Sequence, residues 1–80
     1  MTRATYSRRN AEFRARLVQA RLAAHLTQAA VAKRLGRPQS FLSKVEHGER
    51  RLDVVEFVAV CRALDVDPLE FLRDFLRTTS

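Results

Sequence analysis

The stretch LTQAAVAKRLGRPQSFLSKVEHGE, residues 26–49, contains both glycines of the chain and one of its two prolines. These residues divide it into two short helices. Thr27 can cap the free amides of a helix running through Gln28 to about Leu35, with Val31 and Leu35 four residues apart on one face. Gly36 ends that helix. Pro38, at a first helical position, has its φ already set and gives up only an amide that would be unpaired there. The next helix, residues 38–46, turns Leu42 and Val45 inward three residues apart and closes at Gly48. Two helices joined by a tight glycine turn, with the small Ala32 making room at the crossing, have helix-turn-helix geometry.

Outward from this pair the chain stays helical. From about Arg8 to Ala24, Phe13, Leu17, Ala20 and Ala24 form one apolar stripe, with Arg9, Arg14 and Arg16 falling on faces expected to be solvated. Residues 49–53 read as a surface connection, and Asp53 with Glu56 makes a capping-box start for a fourth helix. Its stripe is Val54, Phe57, Val58, Cys61 and Leu64, which makes Cys61 a small core hydrophobe. A fifth helix starts at Asp67-Pro68 and carries Leu69, Leu72, Phe75 and Leu76, an apolar strip available for contact with a second copy. The expectation is an all-α, compact five-helix domain over residues 8–76, preceded by a flexible basic arm (1–7) and followed by a disordered tail (77–80).

At 80 residues, 46% hydrophobic and 30% charged, the chain has the composition of one globular domain. Its single cysteine excludes an internal disulfide, and its two histidines have no carboxylate or cysteine spaced to complete a metal site; no metal or cofactor is expected. No apolar run approaches the ~20 residues of a membrane span, which points to a cytoplasmic protein. The net charge of +6 is uneven: residues 1–51 hold twelve Lys/Arg against three Asp/Glu, residues 52–80 three against six. One end is basic, as suits a polyanionic partner, although ribosome-associated and membrane-surface proteins share that bias.

The pattern Leu-Thr-Gln, Ala32 and Gly36 in register, then Gln-Ser-x-Leu-Ser-Lys-Val-Glu-x-Gly, resembles the helix-turn-helix of the lambda-repressor/Cro family, the XRE-type regulators of bacteria and phages. The resemblance extends through LDVVEFVAVCRALDVDPLEFL, to about residue 72. It implies a five-helix DNA-binding domain whose third helix enters the major groove. Gln39, Ser40 and Lys44 match the family's base-reading places, and Ser43 projects outward with them. Glutamine can pair with adenine, lysine with guanine, and serine with either strand. Gln28 matches a phosphate-contacting place at a helix N-terminus. Arg37 departs from a usually apolar place and becomes a cation within reach of phosphate. Lys33, Arg34, Arg50 and Arg51 are further phosphate candidates, each also consistent with a solvated charge. Phe41 either covers a thymine methyl or folds back on the second helix, and packing is favoured. Arg21 and Glu46 match a partly buried ion pair tying the first helix to the third. His25 and Asp65 stand where the family often has glycine with positive φ, a conformation both tolerate.

No catalytic residue is expected. Ser40 and Ser43 have only His47 within reach, on a convex face with no oxyanion-binding loop, so the chain reads as a non-enzyme. The function implied by the resemblance is sequence-specific binding of double-stranded DNA as a homodimeric transcription regulator. The alternative is an antitoxin or other protein-partner module whose DNA binding is secondary. With no second domain to sense a ligand, control by protein amount is expected, by analogy with small phage switches and restriction-modification controllers.

Overall fold

In the computed structural model, which describes the backbone of residues 3–78 and the side chains of residues 8–77, five α-helices follow one another through short turns. They are α1 (Arg3–Ala23), α2 (Gln28–Leu35), α3 (Gln39–His47), α4 (Val54–Ala63) and α5 (Pro68–Thr78). Thr27 Oγ1 accepts the Ala30 amide at 3.0 Å, Asp53 and Glu56 form the reciprocal capping box, and Asp67 Oδ1 accepts the Leu69 amide at 2.8 Å. No strand occurs among the described residues.

Boundaries differ from the expectation at three places. The backbone of α1 begins at Arg3, so residues 3–7 of the expected arm continue a helix, while residues 1–2 lie outside the described residues. At the other end, Arg77 and Thr78 continue α5, and residues 79–80 of the expected tail lie outside the described residues. Pro38 sits one residue before α3, not inside it: its φ of −63° suits a helix, but its ψ of 151° is extended. It provides no side-chain cap; the pyrrolidine ring sets φ and the Pro38 carbonyl accepts the Phe41 amide at 3.0 Å.

The core is built on Leu17, Val31, Leu42, Val45, Val60, Cys61 and Leu64, all nearly or fully buried. Phe13 joins α1 to the C-terminal helices, its ring 5.6 Å from that of Phe57, 5.7 Å from Phe71 and 5.7 Å from Phe75. Such tilted and edge-on pairs add to the area they bury. Two stripes need correction. In α4 the buried face runs Phe57, Val60, Cys61, Leu64, while Val54, in the first turn, is 78% exposed. In α1 the stripe stops before Ala24, which lies past the helix end and is exposed. Phe71 anchors α5, leaving Leu69, Leu72 and Leu76 outward and Phe75 half-buried against Phe13. Burial pushes the Cys61 thiol up to about 11, with the nearby Asp67 charge adding to the effect.

The first four helices end in the same way. A residue in the left-handed region, His25 (φ 59°), Gly36 (69°), Gly48 (82°) or Asp65 (58°), reverses the chain. The amide of the next residue then bonds back five positions: Leu26 to the Arg21 carbonyl, Arg37 to Ala32, Glu49 to Lys44 and Val66 to Cys61, at 2.8–3.1 Å.

Candidate nucleic-acid interface

One face of α3 is embedded, with Phe41, Leu42 and Val45 buried against the rest of the domain. The opposite face carries Gln39, Ser40 and Lys44, all exposed, while Ser43 is half-buried and therefore less available than the other three. Phe41 packs inward, 8% exposed, which settles its orientation in favour of the core. His47 Nδ1 donates to the Ser43 carbonyl at 2.8 Å, so its ring is engaged with the backbone.

The C-terminal end of α3 is tied down by charge. Arg21 donates to the Glu46 carboxylate through Nε at 2.8 Å and Nη2 at 3.1 Å, and through Nη1 to the Leu26 carbonyl at 3.0 Å. The two side chains are 13% and 7% exposed, so this is a substantially desolvated pair. Gln28 Nε2 also donates to Glu46, at 2.7 Å. This engages one N–H of the Gln28 side chain, while the phosphate contact expected of its side chain or backbone amide lies at the positive end of α2. Arg14, expected to be solvated, donates to the Glu46 carbonyl at 3.2 Å and to Asn10 Oδ1 at 2.9 Å. Its guanidinium lies so close to Gly48 that a Cβ there would meet Arg14 Cζ at 2.8 Å.

A second charged cluster flanks the N-terminal end of α3. Arg37 and Arg50 place their guanidinium carbons 4.4 and 4.7 Å from the centre of the Phe41 ring. Both also bond Glu56: Arg37 Nη2 at 3.2 Å, and Arg50 through Nη1 at 3.0 Å and Nη2 at 2.8 Å. The bond from Arg50, aided by the Asp53 amide, holds the Glu56 carboxyl down at about 2, and Glu56 in turn raises the Arg50 pKa. Lys33 and Arg51 lie exposed on the surface. Arg34 belongs elsewhere: its Nη1 donates to the Ala63 carbonyl at 2.7 Å, at the C-terminal end of α4, so it links α2 to α4.

Sequence reasoning missed Arg14 as a fastening of α3 and read Glu56 only as a cap. Spacing along one helix signals neither contact, since the first spans 32 residues and the second joins a loop arginine to the following helix. Among the described residues no group of three His, Cys, Asp or Glu is placed to hold a metal ion, and no helix is long and apolar enough to cross a membrane.

A short helix seated by its apolar face, fastened at both ends and presenting polar side chains outward defines a helix-turn-helix DNA-binding domain. The helix-turn-helix domain family matches residues 12–73. An XRE-family like protein from Pseudomonas syringae pv. tomato str. DC3000 is 46% identical over 99% of this chain and all of its own, with a TM-score of 0.83. The chain belongs to the XRE-type helix-turn-helix family of DNA-binding transcription regulators. The restriction-modification controller protein C.AhdI from Aeromonas hydrophila is 32% identical, covering 78% of this chain and 94% of that one, with a TM-score of 0.71. The controller protein C.Esp1396I shares the fold at 17% identity, covering 86% of this chain and 91% of that one, with a TM-score of 0.79. No curated protein matches the sequence.

Proposed function

We propose that this protein regulates transcription by reading a specific duplex sequence with α3, as a homodimer on two half-sites about one helical turn apart. The observation that carries this reading is the exposed row Gln39, Ser40 and Lys44 on a helix whose other face is buried. Lys33, Arg37, Arg50 and Arg51, with the backbone amide of Gln28, supply the sequence-independent contacts to phosphate. The likeness to C.AhdI, a restriction-modification controller protein, supports a compact transcriptional controller. The strip Leu69, Leu72 and Leu76, with Phe75 behind it, supports pairing with a second copy. A toxin or other protein partner is the competing occupant of that strip, and sedimentation of the free and DNA-bound protein separates the two. A monomer in both states would sink the dimer.

Selection of bound sequences from a random DNA pool tests the base reading. On the selected duplex, Gln39→Ala should cost about 1–3 kcal/mol and relax one base position. Equal weakening on random DNA would refute it.

A further inference from the structure

We propose that Glu56 acts as an internal competitor of the DNA backbone: its carboxylate occupies the guanidinium edges of Arg37 and Arg50 that a phosphodiester would otherwise take. This rests on the phosphate role given to those two arginines above. A guanidinium meets a carboxylate and a phosphate through the same fork of parallel N–H groups, and Arg50 meets Glu56 in that way, through Nη1 at 3.0 Å and Nη2 at 2.8 Å. Arg37 approaches the same Oε2 atom at 3.2 Å.

Position makes the competition relevant. Arg37 stands two residues before Gln39 and Arg50 two after Gly48, and their guanidinium groups meet at the Phe41 ring, beside the N-terminal end of the reading helix. Their side chains are 44% and 39% exposed, open to an incoming polyanion, whereas that of Glu56 is 15% exposed. Stacking on Phe41 keeps both guanidinium groups in place when the carboxylate lets go. An ion pair between partly exposed groups is weak enough in water to be exchanged.

The capping duty of Glu56 does not need its charge. Glu56 Oε1 accepts the Asp53 amide at 3.0 Å, a bond that glutamine makes equally well. Glu56→Gln therefore keeps the helix start and removes the competitor. Each phosphate charge neutralised contributes a slope of about −0.9 in log affinity against log salt, so one released cation is worth roughly eightfold at 0.1 M salt.

The test measures binding of the intact chain to a selected and to a random duplex over a range of salt. Glu56→Gln should bind both roughly five- to tenfold tighter at 0.1 M salt, with a slope steeper by about one. Glu49→Gln, the same charge change at an exposed neighbouring residue, should gain no more than about twofold. The gain should vanish when Arg37→Ala and Arg50→Ala are also present. A gain no larger than that of Glu49→Gln, or one that survives loss of both arginines, would overturn the proposal while leaving DNA reading intact. Failure of the wild-type chain to bind either duplex would overturn both. Guanidinium N–H resonances of Arg37 and Arg50 in the wild-type protein give a measurement independent of any variant: they should shift on adding random duplex, and unmoved signals would end the proposal.

Discussion

Replacing Glu46 with alanine removes the single acceptor shared by Arg21 Nε, Arg21 Nη2 and Gln28 Nε2, at 2.8, 3.1 and 2.7 Å. A guanidinium and an amide are left desolvated. Breaking a buried pair from one side costs about 3–5 kcal/mol. Arg21 is 13% exposed and keeps its bond to the Leu26 carbonyl, which places the loss at the lower end, about 3 kcal/mol. For an 80-residue domain with a total stability of roughly 4–12 kcal/mol, that is a large share. The melting temperature should fall by roughly 12–24 °C. Urea unfolding followed by circular dichroism gives the free energy directly. Substituting both partners, Arg21→Met with Glu46→Leu, should recover only part of the loss: apolar groups of similar volume replace a buried ion pair at little cost, but Gln28 Nε2 and the Leu26 carbonyl lose their partners. A loss below about 1 kcal/mol for Glu46→Ala would refute the view that this carboxylate fastens α3 to α1 and α2.

Three further substitutions probe the helix ends. The Glu56 carboxyl titrates at about 2, below its ordinary 4.5, so its contribution to stability is complete above pH 4.5 and disappears as pH falls towards 2. Glu56→Gln should flatten the acid limb of the stability profile in that window, and an unchanged profile would contradict the ion pair. Gly36→Ala should cost about 1–2 kcal/mol from left-handed backbone alone, since nothing lies within 4 Å of the added methyl. Gly48→Ala should cost more, because it also displaces Arg14 from the Glu46 carbonyl; equal costs by urea unfolding would show that the Arg14 contact adds nothing.

The helix-turn-helix was legible because its determinants are local: Thr27 as cap, glycines at 36 and 48, and Leu42 and Val45 at helical spacing. The same locality revealed the Asp53–Glu56 capping box. Stripe edges were less legible. Whether Val54 or Val60 faces inward depends on how α2 and α5 pack against α4, which leaves Val60 1% and Val54 78% exposed. Long cationic side chains were least legible, since Arg14 and Arg50 find partners that helical periodicity does not encode.

The four matching helix ends divide into two kinds. Where the left-handed residue is His25 or Asp65, the residue after it is apolar, Leu26 or Val66, and lies partly buried against the core. Where it is glycine, the residue after it is charged and exposed, Arg37 or Glu49. A side chain held in the left-handed region is strained by about 1–2 kcal/mol, and a hydrophobic anchor one position later offsets that strain. Glycine makes the anchor unnecessary. The two glycines thus free the positions bordering α3 from the core, so that a charged side chain such as Arg37 can stand beside the reading helix without loosening the turn that carries it.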